Sequence, residues 1–219
     1  MKSLIIIILS LAVIVLGSKV VLENASTSTP TEIKVIENNT WKVWQDSTFT
    51  KATGVYTTYQ LKYPRDFDVY RLDQARGGFL TPSPRVTLAF PEDAFQTPKT
   101  NFAEAYAAVS VSGDAKIVNS CFKASDLEAS GLTNVKTING IEFKTGNLSE
   151  AAAGNIYKSR LYRTIYKDLC YEIVLTVHTG NIYNYPAGEV VEFDNEKAFS
   201  VLEEILNTFS VTTDTKPTL

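Results

Sequence analysis

Apolar and polar positions divide the chain into unlike stretches. Ser3 to Ser18 (SLIIIILSLAVIVLGS) is an uncharged run with no polar face, preceded only by Met1 and Lys2. With Val20, Val21 and Leu22 beyond a snorkelling Lys19, it comes to about 20 residues, or roughly 30 Å of helix, enough to cross a bilayer. Asn24 to Thr31 (NASTSTPT) then offers almost nothing to bury and reads as a Ser/Thr-rich spacer. After it an alternating period takes over. Tyr59–Tyr63 alternates up to Pro64 and Arg85–Phe90 up to Pro91, and each proline ends a strand because it cannot donate to a ladder. Ala105–Ser112 is a third strand, and Ile141–Thr145 a fourth after the Asn139-Gly140 turn.

Tyr157–Tyr166 and Cys170–His178, both rich in aromatic and β-branched residues, predict a hairpin closed by Lys167-Asp168-Leu169. Only one extended helical period is present. It begins after an Asp194 N-cap and carries Phe199, Leu202, Ile205 and Leu206 on one stripe. Ala124–Ala129 is a shorter helix candidate, and Thr212–Leu219 reads as a polar tail. The pattern predicts an antiparallel sheet covered by a small number of helices, in one domain over residues 38–211, after an N-terminal segment over 1–22 and a linker over 23–37.

Charge and composition narrow the function. The chain carries 21 Lys and Arg against 24 Asp and Glu, and its net −3 becomes −5 once Lys2 and Lys19 are assigned to the N-terminal segment. An acidic domain argues against nucleic acid as a partner, and one His with two Cys cannot build a zinc module without many carboxylates. The apolar run is either an uncleaved signal anchor or a secretory signal, cleavable before Ser18 because Val15 and Gly17 stand at −3 and −1. No cysteine near its end offers a lipid attachment point. Either reading puts the domain outside the cytoplasm: attached to the cell membrane by a single span, or secreted if cut near Gly17.

Outside the cytoplasm, two cysteines predict one disulfide, Cys121–Cys170, worth about 4 kcal/mol in the chain-entropy model. The competing chemistry is a hydrolase using His178. Cys170 is a poor nucleophile for it, since eight strand steps separate the two residues by about 26 Å, and no serine stands in a G-x-S-x-G elbow. No catalytic residue, metal ligand or cofactor site is therefore assigned. The carboxylate groups lack calcium-loop spacing, and Gly77-Gly78 opens a Pro-containing connector without the Lys-Ser/Thr of a phosphate loop. Lys158, Arg160, Arg163 and Lys167 on one hairpin arm read as a solvated sheet edge. The stretch most suited to recognition is Gly180–Gly188, where Tyr183, Asn184 and Tyr185 combine aromatic and amide groups in a loop.

Two segments carry a family resemblance. Tyr59–Val69 (YQLKYPRDFDV) is similar to the strand, Tyr-Pro and acidic-aromatic opening of PsbP-like domains, and EKAFSVLEEIL followed by NTFSV resembles their closing helix and strand. The resemblance covers the two ends of the domain and reaches the middle only through strand pattern. It implies an α+β fold, an α/β/α sandwich with a central antiparallel sheet and helices packed on its faces, as found in membrane-anchored bacterial envelope proteins. It also implies a noncatalytic accessory or binding role, and it transfers no functional residue. The resulting expectation is an extracytoplasmic domain, attached to the membrane by its N-terminal helix, that binds an envelope protein or ligand. An envelope hydrolase and a passive structural subunit are the alternatives.

Overall fold

The computed structural model describes residues 41–50, 54–71, 74–80, 84–96, 99–123 and 131–214. The apolar run, the Ser/Thr spacer and the helix expected at Ala124–Ala129 lie outside these residues. Among the described residues, no helix is long and apolar enough to cross a membrane.

The chain builds β1 (Trp41–Thr50), β2 (Val55–Pro64), β3 (Asp68–Arg71), β4 (Val86–Ala89) and β5 (Phe102–Ser112). After α1 (Ala115–Asn119) come β6 (Asn134–Ile138), β7 (Ile141–Ala152), β8 (Asn155–Tyr166) and β9 (Leu169–Gly180), then α2 (Asn195–Asn207) and β10 (Ser210–Asp214). Seven strands form one antiparallel sheet in the order β3-β4-β5-β9-β8-β7-β6, and β1-β2-β10 form a second. Two-residue turns join the long strands. Asn139 and Gly140 both take left-handed φ values, 47° and 79°, the geometry that matches the twist of a tight hairpin. Lys167 and Asp168 do the same at 52° and 59°, so the expected three-residue connection is two residues long and Leu169 belongs to β9.

Alternation on the central strands decides the layers. Ala105, Ala107 and Val109 of β5 and Tyr171, Ile173, Leu175 and Val177 of β9 point to one face and are buried. Against that face lie α2, through Phe199, Leu202, Ile205 and Leu206, and the small sheet, through Trp44, Tyr59 and Leu61. Asp194 caps α2, its carboxylate accepting from the Glu196 amide at 3.1 Å. Phe209, just after the helix, meets Tyr171 and Phe143 edge-on at 5.7 Å.

Among the described residues, the opposite face of the large sheet carries no long helix. An extended strap over residues 74–80 crosses it, where Arg76 exchanges hydrogen bonds with the Thr87 hydroxyl and the Phe79 and Leu80 amides donate to Glu172. The five-residue α1 and the loop holding Cys121 complete the cover. The described residues therefore do not form the expected α/β/α sandwich: a helix and a small sheet cover one face, and a strap and a short loop cover the other.

Three further expectations change. Strand β8 is an interior strand between β9 and β7, not a solvated edge. Its two arginines are matched across the fold: Arg163 meets Glu172 beneath the strap, and Arg160 reaches Glu196 and Glu203 on α2 at 2.6 Å each, while Lys158 is exposed. Ordered pairing also continues past Val211, because β10 runs to Asp214 alongside β2, three residues into the stretch read as a tail. Finally, β1 and α1 are elements that the sequence pattern does not announce.

Candidate functional site

The structure gathers the chemistry-bearing residues into two places. The first surrounds His178, near the end of β9. Strand register sets Glu104 of β5 on one side of it and Tyr157 of β8 on the other. The imidazole stacks on the Tyr157 ring, centroids 4.2 Å apart, with Nε2 2.9 Å from Asn155 Oδ1 and Nδ1 3.5 Å from Glu104 Oε1. The other oxygen of Glu104 accepts from Arg76 of the strap at 2.6 Å. A nucleophile–base pair needs a hydroxyl or thiol within hydrogen-bond reach of the ring. Among the described residues, none is hydrogen-bonded to His178. The nearby hydroxyls of Ser159 and Thr176 bond to each other at 2.9 Å. Cys121 and Cys170 form a buried disulfide with Cα atoms 5.8 Å apart, which leaves neither sulfur free as a thiolate.

Burial sets the titration of several groups in the core. The Tyr106 phenol is pushed up mainly by desolvation, which outweighs its hydrogen bond with Thr176. Desolvation also raises the phenols of Tyr59, Tyr162 and Tyr171. At Arg160 burial works toward a lower value, but the hydrogen bonds with Glu196 and Glu203 prevail and hold the guanidinium above its ordinary value.

The second place is a cavity of about 230 Å³ at the same end of β8 and β9, on the other face of the sheet, since Ile156, Lys158 and Thr179 alternate with Tyr157 and His178. The start of β8 supplies Ile156 and Lys158, the end of β9 supplies Thr179, and the segment entering α2 supplies Glu192, Phe193 and Asn195. Asn101 is the fixed point of its floor. Its amide donates to the Gly180 carbonyl at 2.6 Å and accepts from the Phe193 amide at 2.7 Å, so a buried asparagine is satisfied while tying β9 to the α2 entry. Behind it Phe95, Phe102 and Phe193 form a ring cluster with centroids 4.8–5.1 Å apart.

The Gly180–Gly188 loop forms part of the cavity's rim, through Asn181, Ile182 and Tyr183. Asn181 accepts from the Tyr183 amide at 3.1 Å and opens a single 3-10 turn over Ile182–Asn184. The Asn181 amide and the Asn184 side chain both donate to the Gly154 carbonyl, at 2.8 and 2.9 Å, so the β7–β8 turn clamps the loop from below. Of the three residues singled out from the sequence, Asn184 spends its amide on the loop's own support and Tyr185, 36 % exposed, lies against Gly180 away from the cavity lining. Tyr183 alone presents its ring, 92 % exposed, at the cavity mouth.

Lys158 and Glu192 bring opposite charges to the lining, and among the described residues neither makes an ion pair. Asn195 Oδ1 is buried without a hydrogen-bond partner, a state that costs roughly 1–3 kcal/mol while unmet. Lys158, Thr179, Glu192 and Asn195 lie on separate elements, so no spacing motif connects them; the Gly180–Gly188 loop was the only sequence signal pointing here. Among the described residues, no group of three or more His, Cys, Asp and Glu side chains is gathered that could hold a metal ion.

No protein-family profile matches the chain, and no curated protein matches it. The PsbP-like resemblance thus finds no support among known sequences. Among solved structures the chain is similar to LpqN, described as involved in cell envelope biogenesis of Mycobacterium tuberculosis, at 13 % identity and a TM-score of 0.42, over 78 % of this chain and 91 % of that one. It is also similar to a protein from Bacteroides thetaiotaomicron at 14 % identity and a TM-score of 0.37, over 76 % of this chain and 48 % of that one. Likenesses at this level do not assign a family.

Proposed function

We propose that the chain is a noncatalytic domain held outside the cytoplasm by its N-terminal apolar segment, and that it binds a ligand or partner at the cell envelope through the Tyr183 loop. The observation that carries the binding role is Tyr183 itself: a ring 92 % exposed on a loop that Asn181 and Asn184 fix to the β7–β8 turn. A loop backbone fixed in advance loses little further freedom on binding, which favours affinity. Location is supported by the uncharged run Ser3–Ser18 together with the buried Cys121–Cys170 disulfide, since such bonds persist in oxidising compartments. The absence of catalysis in this reading is supported by the partners of His178, an amide, a carboxylate and a stacked phenol, which hold the ring in place without a nucleophile.

Two measurements test the proposal. Protease added to intact cells cuts the domain while the N-terminal segment stays with the membrane fraction; a domain shielded from external protease refutes the location. Esterase, peptidase and glycosidase substrates are turned over no faster by the wild-type chain than by His178→Ala, and a His178-dependent rate refutes the noncatalytic reading.

A further inference from the structure

We infer that the cavity beside Tyr183 is a subsite for one pyranose ring of a saccharide; this rests on the reading of the Tyr183 loop as the binding surface and names its ligand class. Size limits the ligand. At about 230 Å³ the cavity lies below the roughly 300–1,000 Å³ of sites for drug-sized molecules, which suits a single sugar ring or one unit of a chain continuing into solvent.

Charge limits it further. Glu192 opposes an anion and Lys158 opposes a cation, and among the described residues neither is neutralised by an ion pair, so the lining favours a ligand of no net charge. What it offers is a mixture of donors and acceptors. Lys158 and the Thr179 hydroxyl donate, Glu192 accepts, and Asn195 brings a partnerless oxygen that the soft terminal torsion of an asparagine can turn toward an entering hydroxyl. A neutral ligand with both kinds of group around its edge, such as vicinal hydroxyls on a ring, matches this set.

Tyr183 supplies the remaining element. A pyranose has an apolar face of C–H bonds as well as a polar edge, and the electron-rich face of a phenol attracts those positively polarised hydrogens. Glycine and alanine carry no ring of C–H bonds to lay across that phenol face. The Asn181 and Asn184 hydrogen bonds set the loop backbone from which Tyr183 projects before any ligand arrives.

The test is saturation-transfer NMR on the full chain in a detergent without a sugar headgroup, with methyl glucoside, methyl galactoside and N-acetylglucosamine as probes and glycine and alanine as zwitterionic controls. At least one saccharide should receive saturation on its ring protons with a Kd of about 1 mM, the scale for a dozen or so heavy atoms at ordinary ligand efficiency. Tyr183→Ala should weaken it by about tenfold or more, as for an aromatic anchor, while Tyr183→Phe retains it. Because Tyr183 is exposed, the alanine variant keeps its fold, which an unchanged far-UV spectrum verifies. No transfer to any saccharide up to about 20 mM, transfer only to the amino acids, or equal binding by Tyr183→Ala overturns the inference. Such a failure, with the domain still open to external protease and inert toward hydrolase substrates, removes the saccharide and leaves the extracytoplasmic reading standing.

Discussion

Replacing Glu172 by glutamine preserves the shape of a side chain with no solvent exposure and removes its charge. Four donors converge on this carboxylate: Arg163 Nε at 2.7 Å and Nη2 at 2.5 Å, and the strap amides of Phe79 and Leu80 at 2.8 Å each. Glutamine has one acceptor oxygen and one NH₂ group. In either orientation it serves one pair of donors and points N–H at the other, and it removes the negative charge that Glu172 sets against the buried guanidinium. Breaking a buried pair from one side costs about 3–5 kcal/mol. The contrasting variant is Arg160→Met. Arg160 is 25 % exposed, its partners Glu196 and Glu203 are 69 % and 31 % exposed, and methionine retains an apolar stem against Phe199, where the guanidinium sits 4.1 Å from the ring centroid. Losing the two solvent-screened pairs should cost about 1–2 kcal/mol. Urea unfolding followed by the emission of Trp41 and Trp44 measures both variants, and hydrogen exchange at Phe79 and Leu80 reports whether the strap has come loose. A Glu172→Gln penalty no larger than that of Arg160→Met, or strap amides as protected as in the wild type, would refute the reasoning.

Three further predictions rest on separate features. Cys121→Ser with Cys170→Ser should lower stability by about 4 kcal/mol, from the loop of 49 residues that the bond closes, read as a lower urea midpoint with a steeper slope, since the unfolded chain freed of the bond exposes more surface. Gly77→Ala should cost about 2 kcal/mol or more, because Gly77 has φ +88° and an added Cβ would lie 2.1 Å from Tyr106 Cε2; Gly54→Ala, at φ +64° with open space around it, should cost only about 1 kcal/mol, and equal penalties would remove the close-approach argument. Stability should fall steeply above about pH 10, where phenols ionise in the unfolded chain while Tyr59, Tyr106, Tyr162 and Tyr171 stay protonated in the folded one. The sign follows because the folded state then binds more protons than the unfolded. Each phenol held back contributes a loss of about 1.4 kcal/mol per pH unit, so phenolate absorbance from these four should arise together with unfolding and not before it.

Elements with one clean period were legible in the sequence, and those without one were not. Strands β2, β5, β8 and β9 and helix α2 carry sustained alternation or a helical stripe, and the structure forms all five. Strand β1 escapes because its apolar residues change phase: Val43 points to solvent, 52 % exposed, and the very next residue, Trp44, is buried against Tyr59. The second half of β7, from Gly146 to Ala152, is polar or small and mostly exposed, so only its pairing with β8 reveals it as strand. The basic residues of β8 looked like an edge because their partners are remote in sequence: Glu196 and Glu203 on α2 for Arg160, and Glu172 across a hairpin for Arg163. At the candidate site the loop composition marked the rim, but the lining comes from residues between 101 and 195, which only the topology brings together.

Strand β2 sits between the first and last described strands, with Gln60 opposite Ser210 and Tyr56 opposite Asp214. A chain delivered N-terminus first, from a ribosome or through a membrane channel, cannot finish this sheet until β10 is free. Until α2 and the residues after it follow, Tyr171 and Phe143 also lack the Phe209 ring that closes over them. Delivery and folding are thereby put in order. The small sheet stays one strand short while β10 remains behind, and it closes only when β10 arrives.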